Sequence, residues 1–319
     1  MTKRPLTVLL AAPRGFCAGV ERAIAAVDET LALSQRPVYV RHEIVHNGRV
    51  VEALRAKGAV FVEEVSEIPA GAVAVFSAHG VPKRVEQEAG ARNLRVVDAT
   101  CPLVRRVHQE GRRHAEAGRE IVLIGHAGHV EVEGTLGQIP GTVHVVGDAA
   151  QVEALRVRDP ENLAYVTQTT LSVDDTRVIL SALRRRFPRI LGPDTRTICY
   201  ATQNRQAAVR AVAARAERVV VCGARNSSNT NRLRELAETL GRPALLAERP
   251  EDVTSAFLAG IATLGLTAGA SAPEDLVQEV IARLRRWRAL AVEEVRVTQE
   301  TVRFAPVDLS ALSERRCAT

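Results

Sequence analysis

Ile121-Val122-Leu123-Ile124-Gly125-His126-Ala127-Gly128-His129-Val130-Glu131-Val132-Glu133-Gly134 runs an apolar, β-branched stretch straight into a turn of glycines, histidines and carboxylates. An unbroken apolar run of this length, bounded by glycine, reads as a strand buried on both faces, the kind found in parallel sheets. Polar groups at the carboxyl end of such a strand face a crevice. The glycines let backbone approach a ligand closely, while imidazoles and carboxylates supply proton donors and anion contacts. A solvated loop carries the same residue types, so the motif gains its weight from the rest of the chain.

Outward from this stretch, one plan is used three times. Cys17 follows a strand at 7–11 and opens a helix at 18–33; Cys101 follows a strand at 94–97 and opens a helix at 102–114; Cys199 precedes a helix at 203–216. A helix N-terminus favours a thiolate, the form that binds metal. An arginine stands about one and a half turns into each helix, at Arg22, Arg106 and Arg205. In each third a second strand then ends in a polar turn: 38–45 leads to His46-Asn47, 121–124 to His129, and 219–221 to Asn226-Ser227-Ser228-Asn229 ahead of a helix at 232–240. His46, His129 and Ser227 lie 29, 28 and 28 residues beyond their cysteines. A further strand ends in a second turn, at Ser77-Ala78-His79-Gly80, Thr167-Gln168-Thr169-Thr170 and Thr267-Ala268-Gly269-Ala270-Ser271, with His79, Thr169 and Ser271 at offsets of 62, 68 and 72. Strands alternating with helices imply an α/β fold with right-handed crossovers. The cysteine spacings of 84 and 98 residues imply three similar small units, at 1–100, 101–197 and 198–290, followed by a polar tail at 291–319 that packs on the first unit. Packed about a pseudo-threefold axis, the units bring three thiolates and six polar turns into one central cavity.

The totals narrow the function classes. The chain has 319 residues, 46% hydrophobic and 25% charged, as expected of a globular protein with more than one core. The apolar run at 6–12 is too short for a signal peptide, and no run approaches the roughly 18 residues of a membrane span, so a cytoplasmic, membrane-free protein is expected. A net charge of +6 suits an anionic partner, but aromatics at 3% leave little for base stacking, which argues against nucleic acid. The runs Arg184-Arg185-Arg186 and 283–288 read as solvated helix ends. Five cysteines, an odd and sparse set, do not form a disulfide framework. Cys222 and Cys317, outside the repeated setting, read as a core residue and a tail residue.

Three thiolates without a fourth protein ligand leave a metal centre open to substrate. Zinc is one reading, but structural zinc draws ligands in close pairs. A cubane iron–sulfur cluster, each iron taking one thiolate, suits ligands from three separate units. The run from Asn226 to Asn231 before a helix gathers hydroxyls, amides and N–H groups about one anion position, and Ser271 with Pro273 and Glu274 reads as a capping box for the next helix. A diphosphate is the preferred ligand, with His46 and His79 as added donors.

Pro13-Arg14-Gly15-Phe16-Cys17-Ala18-Gly19-Val20, Ser77-Ala78-His79-Gly80-Val81, Asp98-Ala99-Thr100-Cys101-Pro102, 125–137, 167–175, Ile198-Cys199-Tyr200-Ala201-Thr202, Asn226-Ser227-Ser228-Asn229 and 267–273 resemble, in order and over nearly the whole chain, the hydroxymethylbutenyl diphosphate reductases. The resemblance implies a trefoil around one [4Fe-4S] cluster held by Cys17, Cys101 and Cys199. The open iron takes the substrate's allylic hydroxyl, and two electrons and two protons remove it as water to give isopentenyl and dimethylallyl diphosphates. It implies that His46, His79, His129, Ser227, Ser228, Asn229 and Ser271 hold the diphosphate, and that Glu131 and Thr169 serve the hydroxyl end. Where the family leads one to expect proline, this chain has Val130, which is expected to loosen the turn that aims Glu131. A quinolinate synthase relative is the rival three-cysteine reading, and a nucleic-acid-binding or redox-sensing regulator a second. The basic chain suits an acidic ferredoxin or flavodoxin as electron donor, and a monomer or weak dimer is expected.

Overall fold

The computed structural model describes residues 3–34, 36–193 and 198–312; Cys317 and the expected boundary at 197 fall outside them. In chain order the strands are β1 (Pro5–Ala12), β2 (Val38–Arg41), β3 (Ala59–Val62), β4 (Val73–Phe76), β5 (Arg95–Asp98), β6 (Glu120–Ile124), β7 (Val143–Val146), β8 (Leu163–Thr167), β9 (Arg218–Cys222), β10 (Ala244–Ala247), β11 (Thr263–Ala268) and β12 (Ala289–Arg296). The helices are α1 (Ala18–Leu33), α2 (Gly48–Ala56), α3 (Lys83–Ala91), α4 (Pro102–Glu116), α5 (Val130–Gln138), α6 (Ala149–Ala154), α7 (Val173–Arg186), α8 (Tyr200–Ala213), α9 (Ser228–Thr239) and α10 (Glu274–Trp287). Each pairing between these strands is parallel, so the α/β class follows directly.

One compact unit takes the chain up to Cys17, His46–Gly48 and Cys199–Arg303. Its sheet has the order β10-β9-β11-β1-β12. Leu6, Val8 and Leu10 of β1 share a core with Val277, Val280, Ile281 and Leu284 of α10. Leu9 and Ala11 point the other way, into a core with Val209 and Val212 of α8 and Leu233 of α9. Burial of both faces explains the unbroken apolar composition of β1. β12 is the exposed edge, and Glu293, Glu294 and Arg296 on it discourage pairing with another chain.

The other unit takes Ala18–Val45, Arg49–Ile198 and the chain from Phe304 onward, and it holds two sheets, β3-β2-β4-β5 and β7-β6-β8. In the latter, Ile121 and Leu123 of β6 meet Val107 of α4 and Val132 of α5, while Val122 and Ile124 meet Val152, Ile179 and Leu183. All four side chains of this run are fully buried. Truncating Ile121, Leu123 or Ile124 to alanine would cost about 2–5 kcal/mol.

β1 pairs with β11 on one side and β12 on the other, both distant in sequence. The end of the chain lies beside β1 as β12, and Ser310–Leu312 lies against β5. β2 stops at Arg41, short of Val45, because His42 is left-handed with φ 59°. α8 and α9 begin earlier than the apolar periodicity indicates, at Tyr200 and Ser228, because their first turns are polar. Among the described residues no helix is long and apolar enough to cross a membrane.

Candidate active site

β6 and β8 are neighbours, and the turns at their exits carry several of the candidate residues. The chain leaves Ile124 through glycines and enters α5 with His129 as N-cap, whose Nδ1 accepts from the Glu131 amide at 3.1 Å. In the neutral ring the proton therefore sits on Nε2. Glu131 is only 3% exposed. Its Oε1 accepts from the Thr169 amide at 2.6 Å and its Oε2 from Thr169 Oγ1 at 2.8 Å, so carboxyl and hydroxyl form a preset pair. The loosening expected from Val130 does not occur. Valine occupies the first helical position, where proline is favoured but not required, and Glu131 stays clamped. Gly125 is needed by close approach: a Cβ there would stand 2.8 Å from Val132 Cγ2. Glu133, in the same first turn, is exposed.

His79 lies within the same unit, its ring edge-on to His129 with centroids 6.3 Å apart. Ser77 Oγ is 3.3 Å from its Nδ1. Gly80 follows with φ 78°, and a Cβ there would stand 2.7 Å from His108 Cε1 and 3.3 Å from Thr100 Cγ2, so no other residue fits this turn. Burial first, then Arg112 and Arg105 against the opposing pull of Asp98 and Glu86, holds the His108 imidazole down to a pKa of about 4. His108 is therefore neutral at pH 7.

The first-described unit carries its own group of candidate residues. Ser227 caps α9, its Oγ accepting from the Thr230 amide at 3.3 Å, and Ser228 is the first helical residue. Ser271 Oγ donates to the His46 carbonyl at 2.9 Å and lies 3.4 Å from Ser227 Oγ, while Asn47 Nδ2 donates to the Ser271 carbonyl at 2.8 Å. Ser271 is thus not a helix cap, as its sequence context indicates; Pro273 holds that position, and the serine hydroxyl is turned toward His46 and Ser227. Asn229 is 3% exposed, yet neither Nδ2 nor Oδ1 has a hydrogen-bond partner. Leaving such groups unsatisfied costs about 1–3 kcal/mol each. A carboxamide kept at that cost in the first turn of a helix, beside two hydroxyls, suits an anion that takes its N–H.

Cys101 and Cys199 are the N-caps of α4 and α8, and Cys17 immediately precedes α1. All three are half-buried, and no described cysteine is in a disulfide. The Cys17 amide donates to the Ala270 carbonyl at 3.3 Å and the Cys101 amide to that of Ala78 at 3.0 Å, so each is tied to a polar turn of its own unit. Among the described residues no three His, Cys, Asp or Glu side chains are grouped to hold a single metal ion. A half-buried thiol at a helix N-terminus is the setting that favours the thiolate, so each of the three can serve as a ligand to a metal or a cluster. Cys222 is fully buried in the core.

Sequence reasoning missed four contributors. Gln168 Oε1 holds the His126 amide at 3.0 Å, Asn47 ties down Ser271, Ser77 touches His79, and His108 packs beneath Gly80. Gln168, Asn47 and Ser77 stand inside the quoted polar turns, so their positions were signalled. His108 looks like any residue on an amphipathic helix.

The family described as LytB protein matches residues 8–285. A 4-hydroxy-3-methylbut-2-enyl diphosphate reductase of Burkholderia pseudomallei is 58% identical over 299 residues, covering 94% of this chain and 96% of the relative. One of Zymomonas mobilis subsp. mobilis is 54% identical over 314 residues, covering 98% and 92%. The solved structure of the E-1-hydroxy-2-methyl-but-2-enyl-4-diphosphate reductase from Plasmodium falciparum matches with a TM-score of 0.89 at 35% identity, covering 96% of each chain. The chain belongs to the LytB protein family.

Proposed function

We propose that the protein is a 4-hydroxy-3-methylbut-2-enyl diphosphate reductase that adds two electrons and two protons to its substrate, breaks the allylic C–O bond and releases water with isopentenyl or dimethylallyl diphosphate. The observation that carries the substrate class is the buried Asn229 carboxamide without a partner at the start of α9. The names of the relatives at 58% and 54% identity support the reaction.

Ser227, Ser228, Asn229, Ser271, His46, His79 and His129 bind the diphosphate through hydroxyl, amide and imidazole donors, which fix its orientation. Glu131 and Thr169 serve the other end. Hydroxide is a poor leaving group, so the departing oxygen must receive a proton. Thr169 Oγ1 at 2.8 Å from Glu131 Oε2 forms a short relay for it, and the burial of Glu131 keeps bulk water from competing. Cys17, Cys101 and Cys199 would hold one [4Fe-4S] cluster with one open iron, which when bound supplies the electrons and a Lewis-acid contact for the hydroxyl oxygen. The three units expected at 1–100, 101–197 and 198–290 would each contribute one of these thiolates. The donor is a ferredoxin or flavodoxin, acidic carriers suited to a chain of net charge +6. The protein works in the cytoplasm, as a monomer or weak dimer.

Anaerobic iron and sulfide analysis tests the cofactor assignment. Cys17→Ser, Cys101→Ser and Cys199→Ser should each abolish the cluster absorption, and Cys222→Ser should retain it. Loss of iron in the Cys222 variant alone would remove the assignment.

A further inference from the structure

We infer that the C-terminal segment bearing Glu300 and Ala305 positions two of the cluster cysteines by bracing Arg205 and Arg22. This rests on the reading of Cys17 and Cys101 as cluster ligands. Arg205, in the second turn of α8, has a wholly buried side chain. Its Nε and Nη2 donate to the Gly15 carbonyl at 3.0 and 2.6 Å, and Nη2 also reaches the Phe16 carbonyl at 3.1 Å. These are the two carbonyls immediately ahead of Cys17. On the far side of the fork, Nη1 donates to Glu300 Oε1 at 2.9 Å and to the Ala201 carbonyl at 3.0 Å. Glu300 Oε1 also accepts from Asn204 Nδ2 at 3.1 Å.

The other unit repeats the device. Arg22, in the second turn of α1, donates from Nη1 to the Thr100 carbonyl at 3.1 Å and the Ala99 carbonyl at 3.5 Å, the two immediately ahead of Cys101. Its Nε donates to the Ala305 carbonyl at 2.8 Å. In both cases an arginine on a cysteine-bearing helix grips the two peptides that lead into a different cysteine, and a tail group holds its other edge. A guanidinium is a rigid planar fork, so binding two successive carbonyls fixes both peptide planes and with them the direction of the next Cα–Cβ bond. Burial of the Arg205 charge is tolerable only with its donors met, and Glu300 supplies the compensating charge. Arg106, the third arginine of the sequence pattern, is exposed and serves as control.

The test follows alkylation of each cysteine by iodoacetamide in the metal-stripped full chain, read by peptide mass spectrometry, alongside iron content and the electron paramagnetic resonance spectrum of the reconstituted protein. Arg205→Met should raise Cys17 alkylation about tenfold, the population change that about 1.4 kcal/mol produces, and leave Cys101 near the wild-type rate. Arg22→Met should do the reverse. Glu300→Gln, a milder change that preserves the fold if Arg205→Met does not, should raise Cys17 alone and alter the resonance spectrum, whereas Arg106→Ala should change neither. Wild-type rates in the Arg205, Arg22 and Glu300 variants, or parallel rises at both cysteines in each, would overturn the inference. If the wild-type chain binds no iron while the selective alkylation persists, the cluster reading fails and the bracing stands.

Discussion

Asn229→Ala separates a ligand-binding role from a structural one, because the two move stability in opposite directions. The side chain lies buried with both polar ends unbonded. Its removal relieves unsatisfied burial of two polar groups, about 2–6 kcal/mol at 1–3 for each, against a truncation cost of similar size for the space it leaves. The variant's Tm should therefore stay level or rise by a few degrees. Substrate binding should lose one hydrogen bond to a charged group, about 1.5–3 kcal/mol, so KM should rise roughly 10- to 100-fold. Leu233→Ala, on the same helix but fully buried in the core, should do the opposite: it should lose about 2–5 kcal/mol of stability with KM little changed. Differential scanning fluorimetry and anaerobic steady-state kinetics on both variants give the comparison. If Asn229→Ala lowers Tm as Leu233→Ala does and leaves KM alone, the carboxamide is structural and the anion lies elsewhere.

Glu131→Gln keeps the size of the side chain but removes the acidic proton, so kcat should fall by roughly 100-fold or more. Exposed Glu133→Gln should cost far less, and equal turnover of the two variants would assign proton delivery to another group. His108 gives a pH signature. With its pKa brought from 6.5 to about 4 by burial, the unfolded chain takes up the proton first as pH falls. Neutral His108 thus contributes stability that is fully present above pH 6.5 and is lost as pH falls toward 4, about 3 kcal/mol in all. Urea unfolding of wild type and His108→Gln at pH 7.5, 6 and 5 should show the wild type losing more across that window, and parallel profiles would contradict the stated environment.

The sequence disclosed the strands best where both faces are buried. The runs at β1 and β6 are apolar throughout because each lies between two neighbours with cores above and below. Helix starts at Ser228 and Tyr200 are not legible from periodicity, because their first turns are polar and capping residues carry no apolar period. Repetition of one cysteine setting, at matched offsets to His46, His129 and Ser227, made the candidate residues readable without coordinates. The registration of β1 beside β11 was not, since a strand buried on both faces fits several sheets equally well. Nor were Arg205 and Glu300 legible as partners, because an ion pair spanning 95 residues leaves no local pattern.

The most direct measurement is anaerobic turnover of 4-hydroxy-3-methylbut-2-enyl diphosphate by the reconstituted protein under excess reductant, with products identified by mass spectrometry. The account predicts isopentenyl and dimethylallyl diphosphates in the wild type and loss of both in Cys101→Ser. Fully iron-loaded wild-type protein that leaves the substrate unchanged would contradict it.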